Sequence, residues 1–107
     1  MVGEKLFFDN TSQTGDSENM INTKGGVLTI QVFGEASSLS ASVLGKVDIQ
    51  NGNFVPLAGV NMSDYSLANT ITAKGIYEYD ISGIRLIKVN LASTDGNVSI
   101  KGVSKEG

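Results

Sequence analysis

The sequence contains no cysteine, no histidine and no tryptophan, and its single proline is Pro56. Without cysteine there is no disulfide, no thiolate metal site and no thiol nucleophile. Without histidine the usual general base, zinc ligand and pH switch are missing. Charge is also scarce. Eight cations and eleven acids make up 18% of the residues and leave a net charge of −3. That balance argues against a nucleic-acid partner, which calls for a basic footprint. No stretch approaches the roughly 20 consecutive apolar residues needed to span a bilayer, so no membrane partner is expected. The opening MVGEKLFFDN lacks an apolar core followed by small residues, so no secretory signal is read there. With its Met start, the chain reads as a complete small gene product.

What is present is glycine and alternation. The 107 residues, 40% of them apolar and thirteen of them glycine, suit one domain with one core. In GGVLTIQVFG, Leu28, Ile30 and Val32 share one face and Thr29 and Gln31 the other, the signature of a half-buried strand. In LSASVLGKVDI, Leu39, Ala41, Val43, Val47 and Ile49 share the apolar parity, and Gly45 on that parity marks a bend or a close-packed neighbour. NFVPLAGV carries Pro56, which cannot donate to a ladder, and so belongs at an edge or bulge. Tyr77, Tyr79 and Ile81 alternate with Glu78 and Asp80, Ile87, Val89 and Leu91 with Lys88 and Asn90, and Val98 and Ile100 with Ser99 and Lys101. Asn51-Gly52 and Asp95-Gly96 are hairpin signals. No window carries an apolar stripe at helical spacing, and Ser63 to Asn69 could form one helical turn at most. The pattern predicts an all-β fold, an antiparallel β-sandwich (jelly-roll or Ig-like) of about seven to nine short strands. Residues 1–25 read as an N-terminal arm or first strand with a polar loop and a weak strand near Met20 to Thr23, and residues 26–107 as the sandwich core.

Chemistry-bearing patterns are thin. Asp48, Asp64, Asp80 and Asp95 fall at or beside strand ends and could meet to bind calcium, but no D-x-D-x-D-G loop is present, and solvated turns are the favoured reading. No G-x-S-x-G occurs, and Lys24-Gly25-Gly26 lacks both the spacing and the following helix of a phosphate loop, so it reads as a turn. No enzymatic activity, cofactor or metal is therefore expected. Tyr65, in a polar loop, is the one residue placed to stack on a sugar, although exposed packing is the simpler account. Phe7 and Phe8 are adjacent and in a regular strand point to opposite faces, one into the core and one toward a partner. Lys5, Leu6, Phe7 and Phe8 thus form the candidate interaction arm, with coverage of the domain's own sheet an equal alternative. As an attachment arm, residues 1–10 could be removed without unfolding the sandwich.

From Gly26 onward a longer pattern emerges. An alternating strand and a second strand ending at Val47-Asp48-Ile49 lead to Asn53-Phe54-Val55-Pro56-Leu57-Ala58-Gly59-Val60. After a polar loop come Gly75-Ile76-Tyr77-Glu78-Tyr79-Asp80-Ile81-Ser82-Gly83, a strand with Arg85 and Lys88-Val89, and Gly96-Asn97-Val98-Ser99-Ile100-Lys101-Gly102. Over residues 26–102 this resembles the small β-sandwich accessory proteins of tailed bacteriophage virions, capsid-decoration and head-fibre-like modules. The hairpin departs from their pattern, with Gln50-Asn51-Gly52-Asn53-Phe54 where they carry Asp-Gly and a tryptophan. The shared positions are turns and packing, so no site residue is carried over. The resemblance implies a non-enzymatic virion structural protein, made in the host bacterial cytoplasm and docked on a major capsid or tail protein, with homo-oligomerisation possible. The alternative is a carbohydrate- or cell-surface-binding module using Tyr65.

Overall fold

The computed structural model describes residues 2–106; Met1 and Gly107, the outermost residues of the expected arm and core, lie outside them. The described residues contain no helix. They form β1 (Val2–Thr11), β2 (Gly15–Asp16), β3 (Met20–Ile21), β4 (Val27–Gly34), β5 (Leu39–Lys46), β6 (Val55–Pro56), β7 (Gly59–Asn61), β8 (Leu67–Ala68), β9 (Gly75–Asp80), β10 (Leu86–Thr94) and β11 (Val98–Lys105). Two antiparallel sheets face each other. The larger runs β1-β11-β4-β9-β7-β8, and the smaller runs β2-β10-β5-β6 with β3 also paired to β10. The expected all-β sandwich is therefore the fold, with eleven strands because four two-residue pieces join the edges.

The core lies between the sheets and is built from the predicted alternation. Leu28, Ile30 and Val32 of β4, Ala41 and Val43 of β5, Tyr77 and Tyr79 of β9, Val89 and Leu91 of β10 and Ile100 of β11 are all buried. Each fully buried aliphatic side chain contributes about 2 kcal/mol by leaving water. Pro56 sits on the edge strand β6, opposite Leu44. Gly45 takes a close neighbour, since a Cβ there would stand 2.7 Å from Ile84 Cγ2. The alternation stops one residue later. β5 ends at Lys46, so Val47 and Ile49 are exposed on residues 47–54, where the Asp48 carboxylate accepts from the Gln50 and Asn51 amides and turns the chain. Asn51-Gly52 accordingly sits in a long loop between β5 and β6 rather than in a two-residue hairpin.

Asp95-Gly96 also departs from the hairpin expectation. β10 lies in the smaller sheet and β11 in the larger, so residues 95–97 cross between the layers, as do residues 35–38 from β4 to β5. The two crossovers are laced together. Asp95 accepts from the Ser37 amide at 2.9 Å, the Ser38 amide at 3.3 Å and both seryl hydroxyls, while the Asn97 carbonyl accepts from Glu35 and Ala36. These donors, the Ser37 hydroxyl foremost, pull the Asp95 carboxyl down from 3.8 to about 2. A depressed carboxylate pKa stabilises the fold above the unfolded value and loses that contribution as pH falls toward the folded one. Asp95→Ala is therefore expected to melt several degrees below the parent at neutral pH, and the gap should close as the buffer is taken from about pH 4 to about pH 2. Thermal melts of both proteins across that range check it, and a gap independent of pH would show that the carboxylate charge is irrelevant.

Of the arm or first strand expected at the N-terminus, residues 2–11 form the strand, and the weak strand expected near Met20 to Thr23 is present as β3. β1 pairs along β11 from Val2↔Lys105 to Thr11↔Val98, and β2 and β3 both pair with β10 in the opposite sheet. Residues 2–21 thus supply edge strands to both layers, and Met20 joins the buried core.

Candidate functional site

The expected interaction residues fall in different environments. The register of β1 shifts between Leu6, opposite Lys101, and Phe8, opposite Ile100, so Phe7 is the extra residue of a β-bulge. A bulge rotates the side chains that follow it. In consequence Phe7 is buried in the core and Phe8 packs partly buried against it, instead of pointing away. Lys5 is half-buried and paired with Glu18 at 2.9 Å. Leu6 alone of the four presents an exposed apolar side chain, at 46%.

Leu6 opens onto the outer face of the larger sheet. Across that face Leu6 opposes Lys101, Lys101 opposes Gln31 and Gln31 opposes Ile76, with Phe33 two residues along β4 from Gln31. Phe33 and Ile76 are 42% and 44% exposed. Three large apolar side chains thus stand among polar ones on one sheet face, and period two announces their orientation, since they hold the parity opposite to the core. The outer face of the smaller sheet mixes lysine, serine and asparagine with apolar side chains, among them the exposed Ile21. Phe54, from residues 47–54, lies there beneath Lys88 Nζ at 4.3 Å and Lys46 Nζ at 5.2 Å from its ring centre, and Lys88 also pairs with Asp16 at 2.9 Å. Cation–π contacts of this kind contribute about 1 kcal/mol each and pin the loop to the sheet.

Tyr65 is 75% exposed at positive φ in the turn joining β7 and β8, its amide donating to the Asn61 carbonyl. The four aspartates do not converge: among the described residues no three acidic side chains lie close enough to share a cation. Three close local turns instead, Asp48 on Gln50 and Asn51, Asp64 on Ser66 and Asp80 on Ser82, while Asp95 ties its crossover to Ser37 and Ser38 of the other. Burial pushes the Tyr77 and Tyr79 hydroxyls up from their ordinary value, and Tyr77 donates to the Ala73 carbonyl at 2.7 Å. Neither is placed to move protons at neutral pH.

A groove of about 460 Å³ opens at the end of the sandwich where β3 leads into β4 and β9 into β10. Residues 22–26, 82–85 and Glu106 line it. Its floor is Asn22, a buried side chain that sequence reasoning missed. The Asn22 amide donates to the carbonyls of Gly25, Ile81 and Ile84 and accepts from the Gly25 amide at 2.7 Å. The available signal was the alternation Met20-Ile21-Asn22, with Ile21 outside and its neighbours inside. Arg85, expected in a strand, instead precedes β10 at the groove's rim.

The fold and these surfaces define a small two-sheet β-sandwich whose charged and hydroxylated side chains are chiefly spent on turns. The chain belongs to the XepA family, whose model matches residues 3–104. It is 24% identical to the SPbeta prophage-derived uncharacterized protein YomS of Bacillus subtilis (strain 168), over 91% of this chain and 81% of that protein. The crystal structure of the SPBc2 prophage-derived protein YomS superposes with a TM-score of 0.88 at 21% identity, over 97% of this chain and 92% of that one. The crystal structure of the PBSX exported protein XepA gives 0.89 at 23% identity over 97% of this chain, which spans only 37% of the XepA chain. The family is thus a phage-related one, with prophage-derived relatives.

Proposed function

We propose that this chain is a non-enzymatic structural protein of a bacteriophage particle, a capsid-decoration or fibre-like module that docks on a major capsid or tail protein. What supports this reading is the prophage origin of a relative that matches nearly the whole chain. The docking surface we assign is the outer face of the larger sheet, where Leu6, Phe33 and Ile76 stand exposed. Apolar side chains gathered on one sheet face commonly mark a protein contact. On a symmetric particle many such weak contacts act together, and self-association of the chain would add to them. The protein would be made in the host cytoplasm and leave the cell on the particle.

The test is to purify particles by density gradient and quantify the protein in them. It is expected to co-band with the major capsid or tail protein in a fixed ratio. Phe33→Asp/Ile76→Asp, which changes only exposed positions, should fold normally and lose roughly tenfold or more of that occupancy, as removal of hot-spot side chains does. Protein found only outside the particles would sink the reading.

One observation favours a second reading, a carbohydrate- or cell-surface-binding module: the Tyr65 ring stands clear of its turn. A glycan array probed with the parent and with Tyr65→Ala separates the two readings, since reproducible sugar binding lost in the variant belongs to the second alone.

A further inference from the structure

The cations of this chain are not evenly engaged. Lys5, Lys88 and Lys101 pair with Glu18, Asp16 and Glu4 at 2.9 Å. Lys74 donates to the Gly34 carbonyl, and Lys46 lies over the Phe54 ring. Of the remaining three, Lys105 lies on β11, while Lys24 and Arg85, the chain's only arginine, both line the groove, and among the described residues neither has a carboxylate at ion-pair distance. In a protein of net charge −3, two uncompensated cations therefore meet at one concave site. Thr23 and Ser82 add hydroxyls to its lining. The amides of Thr23, Lys24 and Gly83, residues of the same lining, are committed to no protein acceptor among the described residues. Glu106, the acid on the lining, is engaged in an interaction of its own, and the neighbouring Asp80 is turned onto the Ser82 amide.

The site is also built rather than accidental. Asn22 ties residues 22–25 to residues 81–84 through its side chain, so the two cation-bearing segments are held side by side. The groove volume suits a small ligand or one unit of a polymer. It is lined by no aromatic side chain, so it offers no stacking platform for a sugar face. Arginine forks onto oxyanions, and lysine adds a point charge from a second direction. Two cations on separate loops, ringed by hydroxyl and amide donors, match a tetrahedral dianion better than a planar carboxylate.

We propose that the groove formed by residues 22–26 and 82–85 binds a phosphoryl group, held by Lys24 and Arg85. The proposal stands independently of the particle reading.

Amide chemical shifts followed by NMR during titration with inorganic phosphate, and separately with succinate at matched ionic strength, test it. Phosphate is expected to give saturable shifts confined to residues 22–26 and 82–86. The exposed double variant Lys24→Gln/Arg85→Gln should keep the parent spectrum elsewhere and weaken binding by roughly tenfold or more, as loss of charged hydrogen bonds does. Lys74→Gln, with its lysine on another segment, should bind phosphate as the parent does. No saturable shift, or equal binding by the double variant, would overturn the site. Succinate bound as tightly as phosphate would overturn its assignment to a phosphoryl group.

Discussion

Phe7→Ala is expected to destabilise the protein by about 4 kcal/mol, lowering its melting temperature by roughly 20 °C. The ring is buried, and it fills a space that β11 leaves empty. Gly102 has the core-facing parity of β11, and a Cβ placed there would stand 2.7 Å from Phe7 Cε2. The aromatic ring and the missing side chain are complementary, an aromatic laid over a strand glycine. Truncation to alanine removes the ring while Gly102 supplies nothing in its place, so a cavity remains between Leu28, Ile30 and β1. With total stability on the order of 10 kcal/mol for a domain of this size, such a loss is a large fraction of the whole. Urea unfolding should show a lower midpoint with an unchanged slope. A loss below about 1 kcal/mol would mean that β1 is the detachable arm its composition suggests. Removal of residues 1–10 should be worse still, because it also strips one of the two strand partners of β11 along most of its length.

The contrast between β1 and β4 shows what the sequence could and could not reveal. Alternation over Leu28, Ile30 and Val32 is uninterrupted, and strand, face and burial follow from it together. The same holds for Tyr77 and Tyr79, and for Val89 and Leu91. In β1 one inserted residue reverses the parity after Leu6, and a bulge leaves no compositional mark. Phe7 and Phe8 therefore look opposed in sequence while both pack on the core side. Asp95-Gly96 fails as a hairpin signal for a related reason. The dipeptide sets the local turn, but whether the next strand pairs back or crosses to the other sheet depends on partners far away, here Ser37 and Ser38. The groove was still less visible. Lys24-Gly25-Gly26 reads correctly as a turn, yet nothing local says that Arg85 is held beside it. That proximity comes from pairing between segments some sixty residues apart, β3 with β10 and β4 with β9, which the Asn22 side chain then bridges.

Asn22 is accordingly the polar side chain whose loss should cost most. Replacement by leucine, close in size and without hydrogen-bonding groups, leaves the Gly25 amide and the Ile84 carbonyl without their partner inside the fold. That is expected to cost about 3 kcal/mol. Asn22→Asp is more informative because its shape is unchanged. An amide that donated to the carbonyls of Gly25, Ile81 and Ile84 becomes a carboxylate oxygen facing them, so the charged form is disfavoured by repulsion and by burial. The introduced carboxyl should titrate above its ordinary value in the folded protein. A raised carboxyl pKa makes the folded state bind more protons than the unfolded one, so stability must fall as pH rises through the interval between the two values. The aspartate variant should therefore gain stability on mild acidification from neutral pH, over a range where the parent is flat. Once protonated it can donate one hydrogen bond to the carbonyl group opposite and recover part of the loss. Chemical denaturation of parent, Asn22→Leu and Asn22→Asp at a series of pH values decides the matter. If the aspartate variant is as flat as the parent on mild acidification, the carboxyl introduced at position 22 does not face the three carbonyls as the amide does, and the clamp is not the one described.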